Sequence, residues 1–184
     1  MSTIKSISIM FPLYNDKHTV ELMITKSLSV LKKLKKKYEI IIVDDGCPQN
    51  SGKLAAKIAK KFANIKIFFH KKNLGYGAAL KTGLKKCKND WIFFTDGDDE
   101  NDVNNLFRLL KARKDCDLVI TYRYKKKYNI RRVVISWVYN KIVRLLFKIK
   151  FRDISNASRL VSRKLIQRIK LKSNSPFIGP ELVV

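Results

Sequence analysis

The sequence predicts an α/β domain with a mostly parallel sheet flanked by helices. Three observations carry this reading. Strand-like apolar runs alternate with segments of helical period at least four times, one run is unbroken Ile/Val, and polar motifs fall just after the runs. Ser6 to Tyr14 reads as a buried strand through Ile7, Ile9, Met10 and Phe11. Thr19 to Lys36 follows as a helix, with Leu22, Leu28, Leu31 and Leu34 near helical spacing. Ile40 to Val43 is the second strand, and its continuous apolar character suits a parallel strand covered on both faces. Ser51 to Ala63 places Leu54, Ile58 and Phe62 four apart, a helix with a lysine-rich outer face. Ile65 to Phe69, Gly77 to Cys87 and Trp91 to Thr95 continue as strand, helix and strand. Leu106 to Lys114 is helical, and Asp117 to Tyr122 is strand-like.

The chain has 184 residues, enough for one domain with a substantial core. A hydrophobic fraction of 46% with 7 Gly and 4 Pro argues against a disordered or low-complexity chain. Forty Lys and Arg against 15 Asp and Glu give a formal charge of +25, which keeps a nucleic-acid-binding module open as an alternative. No helix-turn-helix, RNA-binding aromatic signature or zinc knuckle supports that alternative. Cys47, Cys87 and Cys116 lack disulfide-framework or metal-ligand spacing and read as reduced thiols in a cytosolic setting. Met1 to Leu13 has no long apolar stretch or small-residue cleavage site, so export is not expected. The longest candidate for a membrane span is interrupted by Lys141, Arg144 and Lys148.

Ligands of open α/β sheets bind beyond the carboxyl ends of the strands. Tyr14-Asn15-Asp16, Asp44-Asp45-Gly46, Asn73-Leu74-Gly75-Tyr76-Gly77 and Asp96-Gly97-Asp98 occupy those positions after the four strands. The last opens a seven-residue window that holds 5 of the 15 acids, Asp96, Asp98, Asp99, Glu100 and Asp102, and no base. Carboxylates this close repel one another, and a hard divalent cation such as Mg²⁺ or Mn²⁺ relieves the repulsion while sharing its shell with substrate phosphates. A polar loop that caps the next helix would also account for the window. Asp-Gly after the second strand is an ordinary turn signal as well as a position from which a carboxylate reaches a ribose or base. The glycines after the third strand let backbone approach a ligand or make a tight turn, and no Gly-Lys-Ser/Thr follows them as in a Walker loop.

Together the motifs Phe11-Pro12-Leu13-Tyr14-Asn15-Asp16, Ile40-Ile41-Ile42-Val43-Asp44-Asp45-Gly46, Asn73-Leu74-Gly75-Tyr76-Gly77-Ala78-Ala79 and Asp96-Gly97-Asp98 resemble family 2 glycosyltransferases of the GT-A fold. The resemblance is to the branch of dolichol-phosphate mannose synthases and polyprenyl-phosphate glycosyltransferases. It continues more weakly through Arg123, Arg131-Arg132, Ser136, Asn140, Asp153 and Arg159.

The resemblance implies a nucleotide-sugar donor, with Pro12, Tyr14, Asp16, Val43 and Asp45 around its base and ribose. Tyr76, Asp96, Gly97, Arg132 and Ser136 complete the implied donor-binding set. Asp96, Asp98 and Glu100 are the implied metal positions, with Glu100 standing where the family usually has Gln. Asp98, Arg123 and Arg131 are the implied catalytic residues. Asp16 stands where Glu is usual, Cys47 where Ser is usual, and Tyr76 where this branch often has Lys. The implied reaction is metal-dependent transfer of a hexosyl group from a GDP- or UDP-sugar to a polyprenyl or dolichyl phosphate, inverting at the anomeric carbon. A donor-binding protein without turnover is the second alternative. His18 and His70 lie outside the metal motif and read as surface or strand-end histidines.

From Val133 to Ile149, Val134, Val138, Ile142, Leu145 and Ile149 form one helical stripe, with Lys141, Arg144, Lys148 and Trp137 on another face. Such a helix either packs on the sheet or lies in a membrane interface with its cations toward anionic headgroups. The resemblance favours the membrane, and with it a peripheral position on a cytoplasmic face. Arg152, Arg159, Arg163, Lys164 and Arg168 extend the basic surface, with Asp153 among them. The expected organisation is a donor-binding core over residues 1–122 and an acceptor and membrane-surface segment over 123–184. The family's Glu-Leu element is usually followed by more protein, so a chain stopping after Glu181-Leu182 is expected to be a short or truncated member. Nucleic acid is not an expected partner.

Overall fold

Ser6–Leu13 forms strand β1, buried along all eight residues, with an unbroken apolar run from Ile9 to Leu13 after the buried Ser6 and Ser8. The computed structural model of the chain describes residues 4–122, 130–147, 154 and 156–183, with the backbone alone described at 130–133. Helix α1 (Val20–Leu34) leads to β2 (Lys37–Asp44), α2 (Ser51–Ala59), β3 (Ile65–Phe69), α3 (Tyr76–Lys86), β4 (Trp91–Phe94), α4 (Asn105–Ala112) and β5 (Leu118–Ile120). Helix α5 (Ile130–Phe147), β6 (Arg159–Ser162), α6 (Arg163–Arg168) and α7 (Ile178–Glu181) complete the order.

The six strands run β3-β2-β1-β4-β6-β5. The pairs among β1, β2, β3 and β4 are parallel, whereas β6 is antiparallel to both β4 and β5. The α/β expectation therefore holds, and β6 is an addition to it. Arg159 was expected to extend the basic surface, but it opens β6 within the sheet and is 2% exposed. Its guanidinium donates from Nε to the Asn156 carbonyl at 2.9 Å, from Nη1 to the Gly179 carbonyl at 2.7 Å, and from Nη2 to the Ile154 carbonyl. Carbonyl acceptors on two segments let the charge sit inside, and they tie α7 to the chain before β6.

Each face of the sheet carries its own core. Ile7, Ile9, Phe11, Ile40, Ile42 and Phe93 pack with Met23, Leu31 and Leu106 from α1 and α4. On the other face, Met10, Ile41, Ile92 and Phe94 pack with Leu80 and Leu84 of α3 and Ile178 of α7. Alternate residues of one strand serving opposite cores is the period-2 geometry that an all-apolar strand satisfies.

Strand order reverses between β1 and β4, since the chain builds outward from β1 through β2 to β3 and then crosses to β4 on the other side. A crevice opens at the carboxyl ends of strands at such a point. The residues after β1 and β4 flank it.

Candidate functional site

The crevice is a cleft of about 320 Å³ walled by Pro12, Tyr14 and Asp16 after β1, Asp45 after β2, Asn73 and Tyr76 at the start of α3, and Asp96, Gly97 and Asp98 after β4. The two flanking loops are laced together. Thr19 Oγ1 donates to the Gly97 carbonyl at 2.7 Å, and the Tyr14 N–H donates to Asp16 Oδ2 at 2.8 Å. A Cβ on Gly97 would lie 2.6 Å from the Pro12 carbonyl oxygen, so the middle of Asp-Gly-Asp has room for hydrogen alone. Gly46 serves the neighbouring turn with φ +68°, where a side chain would strike the Lys72 backbone at 2.4 Å.

The paired aspartates after β2 divide their work. Asp44 is buried and accepts from the N–H groups of Cys47 and Gly52, each at 2.7 Å, so it pins the turn and the first residues of α2. Asp45, also buried, reaches the cleft and accepts from Leu74 N at 3.0 Å and Gly75 N at 2.9 Å. His70 Nδ1 lies 2.6 Å from Asp45 Oδ1. The strand-end histidine is therefore an interior partner of the cleft wall, with 10% of its side chain exposed.

Three carboxyl groups on the cleft wall are held above their ordinary range. Burial pushes Asp96 up to about 6, with the charges of Asp98, Asp16 and Glu100 adding to it against the Tyr76 hydroxyl, which donates to Asp96 Oδ1 at 2.8 Å. Burial also raises Asp16, with Asp98 repulsion adding to it, while the Tyr14 N–H opposes the rise. Asp98 is raised by burial and by the charges of Glu100 and Asp99, against the Glu100 N–H at 3.0 Å. A divalent cation held by Asp96 and Asp98 would offset the burial and repulsion that raise them, so the carboxylates fit such an ion. Among the described residues no three His, Cys, Asp or Glu side chains gather in a metal-holding group. Two carboxylates that share an ion with phosphate oxygens suit that arrangement. Asp99 adopts φ 62°, and its carboxylate is held by Lys26 Nζ at 2.7 Å; the exposed Glu100 that follows does not line the cleft.

A second cavity of about 550 Å³ adjoins the first and shares Tyr76 and Asp96 with it. Leu80, Phe94, Ile154, Pro176 and Phe177 give it an apolar lining, and the buried Arg159 supplies a cation. Tyr76 thus stands between the two spaces. Its hydroxyl is held well above the usual phenol range by burial and by the Asp96 charge.

Of the sequence-derived positions, Pro12, Tyr14, Asp16, Asp45, Tyr76, Asp96, Gly97 and Asp98 come together in the cleft. Val43 is buried within β2, and Ser136 on α5 accepts from Asn140 Nδ2 through its carbonyl at 2.7 Å; neither lines the cleft. Arg123 and Asp153 lie outside the described residues, as do the side chains of Arg131 and Arg132. Reasoning from sequence missed His70 and the interior role of Arg159. The signal for His70 was its position directly after β3, one residue past the Asp44–Phe69 pair that closes the β2–β3 register.

The family model described as Glycosyl transferase family 2 matches residues 8–170. The chain belongs to this family. An undecaprenyl-phosphate 4-deoxy-4-formamido-L-arabinose transferase of Photorhabdus laumondii is 29% identical over 142 residues, covering 76% of this chain and 44% of the relative. The protein of that name from Pseudomonas fluorescens is 27% identical over 178 residues, covering 95% of this chain and 52% of its own length. The glycosyltransferase chain thus spans about half the length of the curated relatives it matches.

Its fold is shared with glucosyl-3-phosphoglycerate synthase of Mycobacterium tuberculosis, solved with Mn²⁺, uridine diphosphate and phosphoglyceric acid. The TM-score is 0.74 at 18% identity, over 97% of this chain and 62% of the other. The mannosyltransferase PcManGT of Pyrobaculum calidifontis, solved with GDP-Man and Mn²⁺, superposes with a TM-score of 0.58 at 16% identity, over 88% of this chain and 46% of the other. The GT-A fold expected from the motifs is therefore the one observed.

Proposed function

We propose that this glycosyltransferase moves a hexosyl group from a GDP- or UDP-sugar to a polyprenyl phosphate or a related cell-envelope acceptor, inverting the anomeric carbon. The observation that carries the proposal is the pairing of a carboxylate-rich cleft with an apolar cavity across one shared wall, Tyr76 and Asp96. A nucleoside diphosphate suits the first space and a lipid phosphate the second. The acceptors in the curated relatives' names support the same reading.

In this reading Pro12, Tyr14, Asp16 and Asp45 hold base and ribose, while Asp96 and Asp98 hold Mg²⁺ or Mn²⁺ against the diphosphate. The cation, when bound, supplies countercharge to the diphosphate as the sugar–phosphate bond breaks. The Tyr76 hydroxyl fixes the Asp96 carboxylate, and the Thr19 bond to the Gly97 carbonyl fixes the loop that carries both aspartates. An acceptor phosphate oxygen attacks the anomeric carbon from the face opposite the leaving group, and the bond electrons depart with the nucleoside diphosphate. Because that oxygen is already anionic near neutral pH, no side chain has to remove a proton. Arg123, Arg131 and Arg132 are proposed to stabilise the leaving group.

Helix α5 supports a membrane location. On α5, Val134, Val138, Ile142 and Leu145 are exposed, so the described part of the stripe expected to pack on the sheet or enter a membrane does not pack on the sheet; Ile149 lies outside the described residues. Tyr139, Asn140 and Val143 face the protein instead, while Trp137 stands 60% exposed with Lys141 Nζ 5.0 Å above its ring. An exposed apolar face with Lys141 and Arg144 beside it suits an anionic bilayer surface, which we place on the cytoplasmic side. No helix among the described residues is long and apolar enough to cross a membrane.

A thermal-shift screen of UDP- and GDP-hexoses with and without Mn²⁺ tests the donor reading. The expected result is one donor class that raises Tm in the presence of Mn²⁺, with the rise lost in Asp98→Ala, because a ligand of the folded state stabilises by mass action. The reading fails if no donor shifts the wild-type protein.

A further inference from the structure

Most of the Asp45 carboxylate is occupied from inside the protein. Oδ1 faces His70 Nδ1 at 2.6 Å and accepts from Leu74 N at 3.0 Å, while Oδ2 accepts from Gly75 N at 2.9 Å. An ionised carboxylate offers about four acceptor positions and donates nothing, so His70 Nδ1 carries the proton. One position remains, on Oδ2, in a residue that lines the cleft.

The other ring nitrogen, Nε2, lies 2.9 Å from Thr82 Oγ1. Both ends of the imidazole are thus engaged, in a side chain 10% exposed against a carboxylate 4% exposed. Each partner comes from a different element. Asp45 follows β2, His70 follows β3, and Thr82 sits on α3, the helix whose Tyr76 and Ala79 also line the cleft. The His70 N–H bonds to the Asp44 carbonyl at 2.9 Å, which fixes the ring's backbone to the same strand end.

Without the ring, Asp45 would keep one backbone donor on each oxygen but lose the side-chain contact on Oδ1 that adds to them in holding the rotation of its carboxylate. In a buried site that rotation decides where the free acceptor position points. We propose that His70, braced by Thr82, is a positioning residue for the donor's base. It holds Asp45 so that the remaining Oδ2 position meets a ring N–H of the base, a uracil imide or a guanine N1–H. This inference rests on the donor reading of the cleft.

The test compares binding of UDP, GDP and pyrophosphate, all with Mn²⁺, by calorimetry on the full chain. Pyrophosphate lacks the base and reports the diphosphate end alone. His70→Leu is expected to weaken whichever nucleoside diphosphate the wild type prefers by roughly 10-fold or more, the range for a hydrogen bond to a charged group. Pyrophosphate binding should stay within about 2-fold. His70→Asn places an amide N–H near the Nδ1 position and is expected to recover most of the loss, and Thr82→Val to lose part of it. With the cognate nucleotide sugar, His70→Leu should raise KM and leave kcat little changed, as uniform binding requires.

Unchanged nucleotide affinity in His70→Leu overturns the inference while leaving the donor reading intact. So does a parallel fall for pyrophosphate, which would mark a purely structural brace. Should His70→Leu not fold, the Asn and Val variants decide on the same readouts. If wild-type protein binds neither nucleotide, the donor reading fails and this inference falls with it.

Discussion

Asp96→Asn should separate the demands of the site from those of the fold. Burial and neighbouring carboxylates lift Asp96 from 3.8 to about 6, which penalises its ionised form in the folded protein by about 3 kcal/mol. Asparagine keeps the shape and still accepts the Tyr76 hydroxyl, but carries no charge. Because the folded-state value is raised above the unfolded one, the group's contribution is intact at low pH and is lost as pH rises through about 6. With EDTA present, the variant should therefore exceed the wild type by about 3 kcal/mol near pH 7.5, and by only about 1 kcal/mol near pH 4.5. For a chain of this size that corresponds to a Tm higher by roughly 5–10 °C near neutrality. Urea unfolding of both proteins at the two pH values measures the difference directly. An asparagine variant no more stable than the wild type near neutral pH would refute the reasoning, since the burial and carboxylate repulsion held to raise Asp96 would then be absent.

Gly52→Ala should destabilise the fold by roughly 1–3 kcal/mol, read as a lower urea midpoint, because the new Cβ would lie 2.1 Å from Asp44 Oδ2 and displace the carboxylate that pins α2. Burial alone would raise the Cys47 thiol, but the Ser51 hydroxyl and the Asn15 and Gln49 N–H groups outweigh it and hold Cys47 below the usual range. Burial and the Glu39 charge raise the Cys87 thiol. Iodoacetamide followed by peptide mass spectrometry near neutral pH should therefore modify Cys47 well before Cys87, and Cys87 reacting first would contradict this. Trp137 fluorescence should shift to the blue with anionic vesicles and not with neutral ones, and the shift should weaken with salt; equal response to both lipids would remove the electrostatic part of the membrane proposal.

The legible parts of the fold were those with local signals. The later parts of β1 and β2 are covered on both faces and so carry continuous apolar runs, Ile9 to Leu13 and Ile40 to Val43, and the residues that follow those runs include the aspartates placed where ligands bind. β6 was not legible. It has four residues, begins with arginine, and owes its place to pairing with β4 and β5 on either side, a relation that sequence spacing does not encode. The charge of Arg159 suggested surface, yet carbonyls from residues 154, 156 and 179 receive it.

α5 was readable as an amphipathic helix, but periodicity cannot say whether its apolar stripe meets protein or another medium. The structure turns Tyr139, Asn140 and Val143 inward and leaves the stripe outside. In the cleft, the acidic positions were evident because each follows a strand, whereas the partnership of His70 with Asp45 needed the β2–β3 register. The separation of Asp44 and Asp45 into a helix-pinning and a cleft-facing carboxylate likewise required the turn geometry.

The central claim is that one cleft holds a nucleoside diphosphate sugar through Asp96 and Asp98 and passes the sugar to a lipid phosphate from the adjoining cavity. The most direct measurement follows radiolabelled sugar from UDP- and GDP-hexoses into the organic phase with undecaprenyl phosphate and Mn²⁺. The account predicts label in the lipid fraction with one donor class, abolished by EDTA and by Asp98→Ala. Label transferred equally by Asp98→Ala, or no transfer from any donor to the lipid by the wild-type chain, would contradict it.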